Sequence, residues 1–245
     1  MKKVVLAATA AVALTGSAFA ADMAVKSPAP APAPVYRAAS WTGLYIGVGG
    51  GYGMYNQDNT TVTNPGGVAF DVLHTDGGRG YFGTVQVGAD YQFNQKFLAG
   101  VFGDYDFAAL KGNITTPFNT AVAPNNMSSA WAVGGRLGYL PYDTLLTYVS
   151  GGYTQARFDG GAFSTAGGLT GNSYGSQTYS GWFLGSGFEY KLDFFPGLFW
   201  KNEYRFSDYG TQTLISVPVG AGFATTSHAY AQTVRSELVW RFWTR

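Results

Sequence analysis

From Trp41 onward the polarity of the chain alternates residue by residue, and this two-residue period constrains the fold more than any other feature. Between Tyr81 and Phe93 the residues Tyr81, Gly83, Val85, Val87, Ala89, Tyr91 and Phe93 share one parity, whereas Phe82, Thr84, Gln86, Gly88, Asp90 and Gln92 share the other. Successive side chains of a strand point to opposite faces, so one face is greasy and the other largely polar. Between Phe199 and Ser207 the charges Lys201, Glu203 and Arg205 all oppose Trp200, Tyr204 and Phe206. Arg235, Glu237 and Arg241 likewise oppose Val234, Leu238, Trp240 and Phe242, with Asn202 and Ser236 the polar exceptions on the apolar faces. Eight such segments follow one another, at about 43–55, 80–93, 97–110, 129–140, 144–158, 177–191, 198–209 and 229–243. In the fifth, Leu145, Thr147 and Val149 read no differently from Leu146, Tyr148 and Ser150, so its parity stays open and Arg157 takes no face.

The connections alternate in length. Asn94 to Lys96, Pro141 to Asp143 and Leu192 to Gly197 are short, whereas 56–79, 111–128, 159–176 and 210–228 are long and rich in Gly, Thr, Asn and Ser. Short turns therefore lie on one rim and long loops on the other, the asymmetry of outer-membrane barrels. Charged residues make up only 12% of the chain, about half the usual fraction, beside 35 Gly and 41 aromatics (18 Phe, 17 Tyr, 6 Trp). A secreted soluble barrel would hide Leu, Val and Ile in a core. Here the apolar faces mix Gly and Ala with aromatics at their ends.

The first residues carry an export pattern: Lys2 and Lys3, the apolar run Val4 to Leu14, and the A-x-A site Ala18-Phe19-Ala20. The expected organisation is a signal peptide over 1–20, a Pro/Ala-rich periplasmic tether over 21–40, and a barrel over 41–245. No apolar run reaches the roughly 18 residues of a helical span. With no Cys, disulfides, thiolate metal sites and a lipoprotein anchor are excluded. Losing Lys2 and Lys3 leaves 13 of the 15 basic residues against 14 acidic ones, a net charge of about −1, so no nucleic-acid partner is expected.

Unpaired backbone groups cost several kcal/mol each in hydrocarbon, so the expected fold is all-β: an eight-stranded antiparallel up-and-down transmembrane barrel closed by its last strand on its first. Both termini then fall in the periplasm and the location is the cell outer membrane. A basic side chain facing lipid costs about 2–4 kcal/mol at the midplane. The interior is therefore expected to hold Asp90, Asp104, Asp106, Glu189, Glu203 and Glu237 against Arg136, Lys201, Arg205, Arg235 and Arg241, as a salt-bridge network. Eight strands leave a lumen just wide enough for side chains to fill. Two aromatic girdles are expected, from Trp41, Phe93, Phe97, Tyr139, Phe242 and Trp243 at the turn side and Tyr55, Tyr81, Tyr105, Phe107 and Tyr209 at the loop side.

Trp41-Thr42-Gly43-Leu44-Tyr45-Ile46-Gly47 resembles the first strand of the small outer membrane proteins of alphaproteobacteria, the outer membrane immunogenic or porin-family proteins related to OmpA-like barrels. Gly181 to Tyr190 and Lys201 to Gly210 are similar to that family's sixth and seventh strands. The resemblance implies an abundant surface protein that supports envelope integrity, with outer-membrane lipids, lipopolysaccharide and the outer-membrane assembly machinery as partners. Exposed loops would meet host or surface ligands. Such barrels end on an aromatic read by the insertion machinery; Trp240 and Phe242 have the right parity, although Trp243-Thr244-Arg245 follow.

No catalytic motif is present. Gly47-Val48-Gly49-Gly50-Gly51-Tyr52-Gly53 lies within a strand pattern with no helix after it, unlike a dinucleotide loop. No catalytic residues, metal site or cofactor are expected. The resemblance leaves two alternatives to a structural role: a narrow porin-like channel, and a haemin-binding receptor using His74 and His228, the two histidines, both in expected loops.

Overall fold

The computed structural model describes residues 41–63, 68, 73–115, 121–214 and 223–242; the expected leader and tether, with Ala18 and Ala20, and Trp243 lie outside the described residues. Eight long strands form the wall: β1 (Gly43–Thr63), β2 (His74–Gln92), β3 (Phe97–Thr115), β5 (Asn126–Tyr142), β6 (Leu145–Asp159), β9 (Gln177–Lys191), β10 (Leu198–Leu214) and β11 (Phe223–Phe242). Each pairs antiparallel with its neighbours, and β1 pairs with both β2 and β11, so the sheet closes. The closing seam runs from Leu44↔Phe242 to Thr61↔Thr225 and beyond. Three short strands, β4 (Val122–Pro124), β7 (Ala162–Thr165) and β8 (Gly168–Ser173), extend the sheet from the loop end of β3.

The turn rim is closed by local chemistry. Asn94 Oδ1 accepts from the N–H groups of Lys96 and Phe97, both at 2.8 Å, and pins the β2–β3 turn. Gly197 ends the β9–β10 turn with φ of 79°, a left-handed conformation that favours glycine, while its carbonyl accepts from Arg241 N at 2.8 Å.

The strands overrun the expected segments on the loop side: β1 reaches Thr63 instead of 55, β2 begins at His74 instead of 80, and β11 begins at Phe223 instead of 229. The greasy face ends where the wall leaves hydrocarbon, but backbone pairing continues through polar partners such as Thr60↔Thr226. Strands of 15 to 21 residues exceed the roughly 9–11 that cross a bilayer, so the barrel projects beyond the membrane at one end.

The faces are inverted relative to a soluble protein. Val101 and Leu137 are each 64% exposed and Leu184 59%, while Glu189 is 0%, Arg235 1% and Lys201 1% exposed. An apolar ring of this kind around the whole wall marks contact with lipid. The fifth segment resolves with Leu146, Tyr148 and Ser150 inward, and Arg157 outward beside Asp159 at 3.2 Å.

Phe93, Phe97, Tyr139 and Phe242 face outward at the turn side, and Tyr81, Tyr105 and Phe107 at the loop side. Trp41, Tyr55 and Tyr209 do not: all three are buried inside, a correction to the expected girdles. Trp41 packs its ring 4.7 Å from Phe199, and Tyr55 and Tyr209 pack edge-on against Phe158 at 5.0 and 6.4 Å. Tyr209 shares the parity of Lys201, Glu203 and Arg205, so nearness to the rim misassigned it where parity points inward.

Inward glycines make room for inward rings. A Cβ on Gly88 would collide with the Tyr45 ring on β1, and one on Gly187 with the Tyr148 ring on β6.

Leu137→Arg, on the lipid face of β5, should lower the stability of the barrel refolded into phospholipid vesicles by about 2–4 kcal/mol. Asn113→Arg, exposed on β3 beyond the apolar band, should change it by less than about 0.5 kcal/mol. Equilibrium urea unfolding followed by tryptophan fluorescence measures both.

Candidate functional site in the barrel interior

All eleven charged residues expected in the lumen are there, each buried, and they sort into levels along the axis. At the turn end two guanidiniums and two carboxylates form a closed, neutral ring. Arg136 of β5 donates from Nε to Asp90 of β2 at 2.9 Å and from Nη1 to Glu189 of β9 at 3.2 Å, with a further Arg136–Asp90 contact. Arg241 of β11 reaches Asp90 from Nη1 at 2.7 Å and Glu189 from Nη2 at 2.7 Å, and also donates to the Trp41 carbonyl at 3.1 Å. Tyr45 lies against both guanidiniums, 4.7 Å from Arg136 and 5.0 Å from Arg241.

Further up, Lys201 of β10 places Nζ 2.8 Å from Gln86 Oε1, 3.3 Å from Glu237 Oε1 and 3.6 Å from Glu203 Oε2. Tyr148 OH donates to Glu203 at 2.9 Å. Arg205 forks onto Asp104 at 3.0 and 2.8 Å and holds Glu203 through Nε at 2.9 Å, over the Phe183 ring at 4.4 Å. Arg235 reaches Asp106 at 3.0 Å and Asp104 at 3.5 Å. Five cations thus face six anions, and each level joins strands on opposite sides of the barrel.

The loop end is closed mostly by uncharged polar groups, with one inward carboxylate, Asp76, accepting from Asn59 Nδ2 at 2.8 Å and from Thr115 N at 3.0 Å. Gln57 and Asn59 of the β1 overrun are buried, and Asn125, which follows β4, folds in among them. Its amide donates to Gln57, its carbonyl accepts from Tyr55 OH, and its N–H donates to the Gly112 carbonyl at 2.9 Å. Tyr174 OH donates to the adjoining Pro124 carbonyl at 2.6 Å.

The two histidines are strand residues rather than loop residues. His74 opens β2, 3.4 Å from Asp76 and 3.3 Å from the Thr115 carbonyl; His228 lies on β11, 2.9 Å from Asp208. They pair with Asn59 and Asp58, neighbours on β1 of opposite parity, so they sit on opposite sides of the wall and do not converge on one ligand. Among the described residues no cluster of three or more metal-ligating side chains forms. Trp240 and Phe242 face outward at the turn end of β11, their rings 5.7 Å apart.

Sequence reasoning missed the uncharged members of the site. Gln86 carried a parity signal; Tyr148 stands in the segment whose parity stayed open, and Asn125 had no signal because it stands in a segment read as loop.

A family model for the outer membrane protein β-barrel domain matches residues 7–242. The chain belongs to this family. It is 32% identical over 231 residues to the 31 kDa outer-membrane immunogenic protein of Brucella melitensis biotype 1, covering 89% of this chain and 91% of that protein. The protein of the same name from Brucella suis biovar 1 matches to the same extent. Among solved structures, the outer membrane protein OprG of Pseudomonas aeruginosa shares the fold, with a TM-score of 0.51, 12% identity, and coverage of 82% of this chain and 97% of that one. The protein is therefore an outer-membrane β-barrel.

Removing one member of a buried charge network leaves its partner uncompensated, at a cost of about 3–5 kcal/mol. Arg205→Leu should destabilise the vesicle-refolded barrel by about that amount, and Asp104→Asn added to it should restore at least half. Urea unfolding of the single and double variants checks the non-additivity.

Proposed function

We propose that this barrel is a structural protein of the outer membrane, sealed through its lumen, that supports the envelope and carries its long loops on the cell surface. The observation that supports this most is the closed interior: five basic and six acidic side chains, almost all without solvent access, bridge the barrel from wall to wall. Ions crossing such a lumen would have to break pairs in a medium of low dielectric, where an unpaired charge costs several kcal/mol. Lipopolysaccharide and lipids surround the wall, and the assembly machinery reads Trp240 and Phe242. The relatives' name, immunogenic outer-membrane protein, agrees with a surface exposed to antibodies.

In this reading residues 1–20 are a cleaved signal peptide, 21–40 a periplasmic tether, and both termini periplasmic. Nothing in it involves catalysis. The functional surface is the loop end, where β7 and β8 stand clear of the wall.

Two measurements test it. The purified protein should remain silent in planar bilayers, whereas steady openings by the wild type would replace this reading with a narrow channel. Because the chain has no Cys, single-Cys variants report topology cleanly. Leu169→Cys should react with a membrane-impermeant maleimide on intact cells and Asn94→Cys only after permeabilisation; the reverse pattern would invert the orientation.

A further inference from the structure

Among the described residues the outer face of the wall carries one unbalanced charge feature. On β2 and β3, Arg79 and Lys111 are direct cross-strand partners, and both are exposed on the lipid-facing side. Like charges directly opposite on a sheet destabilise the pairing, since their Cβ atoms stand only about 4.5–5.5 Å apart. The other basic groups at the loop-side end of the outer face each have a carboxylate: Arg157 has Asp159 at 3.2 Å and His228 has Asp208 at 2.9 Å. Arg79 and Lys111 have neither an ion pair nor a side-chain hydrogen bond among the described residues.

Among the described residues the nearest carboxylates are occupied or distant. Asp58 shares the outer face but lies four positions beyond Met54, the β1 partner of Arg79, and it accepts from Thr75 at 2.6 Å. Four positions of strand amount to about 14 Å, beyond a Debye length of about 8 Å. Asp76 lies on the opposite face, held by Thr115 and Asn59.

The surroundings specify the depth. Outward residues of β1, β2 and β3 stack in rows: Tyr52 beside Tyr81, then Met54, Arg79 and Lys111, then Asn56, Gly77 and Asn113. The first row is a cross-strand aromatic pair with rings 5.1 Å apart, and Tyr81 is 75% exposed. Aromatics of this kind sit at the level of the headgroups. The two cations therefore stand at the upper edge of the girdle, with amides instead of acids on the loop side.

We propose that Arg79 and Lys111 together bind a phosphate of the phosphorylated glycolipid of the outer leaflet. Arg79 contributes the planar fork that matches phosphate oxygens, and Lys111 a second point charge from the neighbouring strand. The shared anion turns the mutual repulsion of the pair into attraction. The assignment rests on the orientation given above, in which the loop end faces outward; the impermeant labelling of Leu169→Cys tests that orientation independently.

Native mass spectrometry of the detergent-refolded full barrel, with bisphosphorylated lipid A, dephosphorylated lipid A and phosphatidylglycerol as separate probes, tests the site. A heat-modifiable gel shift confirms that each variant is folded. Wild type should retain bisphosphorylated lipid A, and Arg79→Gln and Lys111→Gln should each weaken retention by about fivefold, the double variant by about 25-fold. Arg157→Gln, whose cation already has a carboxylate, should retain it as wild type does. Equal retention by the double variant, or of the dephosphorylated lipid, would overturn the proposal. Preference for phosphatidylglycerol with the same dependence on Arg79 and Lys111 would overturn the glycolipid assignment, even where cell labelling upholds the orientation.

Discussion

Hydrocarbon offers no hydrogen-bond partner, and everything else in this structure follows from that constraint. A sheet placed there must satisfy every N–H and C=O within itself, which only a closed barrel achieves. The seam between β1 and β11 meets this requirement by an unbroken antiparallel register from Gly43's neighbour Leu44 to beyond Thr61. Once the wall is closed, parity along each strand becomes a choice between two solvents. Val101 and Leu137 take one, and Lys201 and Glu203 the other.

A lumen of eight strands is too narrow for free water around eleven charges, so those charges must neutralise one another directly. The turn-end ring of Arg136, Arg241, Asp90 and Glu189 does so with two cations and two anions. Aromatic rings fill the space between guanidiniums, and they fit because glycine faces them across the sheet. Tyr45 lies over Gly88 and Tyr148 over Gly187, so the high glycine content is half of an interlocking interior, not a sign of loose chain.

How much of this the sequence disclosed depends on where each residue stands. The charged face of β10 and β11 was legible because Lys201, Glu203, Arg205, Arg235, Glu237 and Arg241 keep one parity without exception. Tyr209 had the same parity and was still misread, since closeness to the rim competed with it. The loop-side halves of β1, β2 and β11 were illegible: once both faces meet polar surroundings, the alternation that announces a strand disappears although the pairing persists. Asn125 was beyond reach for a related reason, because its burial depends on a loop folding back into the mouth. The histidines illustrate the difference between composition and geometry. Their number could be read, but their place in strands instead of loops, and on opposite sides of one wall, needed the register of β1.

The interior network also decides where function can reside. Lys201 on β10 reaches Gln86 on β2, and Arg205 on β10 reaches Asp104 on β3, so the pairs staple strands that are not neighbours in the wall. Opening a passage would separate several of these pairs at once, each at a cost of several kcal/mol in a low dielectric. Such a lumen is a brace. Where strands leave the membrane, side chains meet water or headgroups, and there the barrel places its short strands β4, β7 and β8 and, among the described residues, the surface cations Arg79 and Lys111. In the proposed reading a sealed interior and an interactive exterior are two outcomes of the same closure: the charges that cannot face lipid lock the inside, which leaves the rim and the outer wall for recognition.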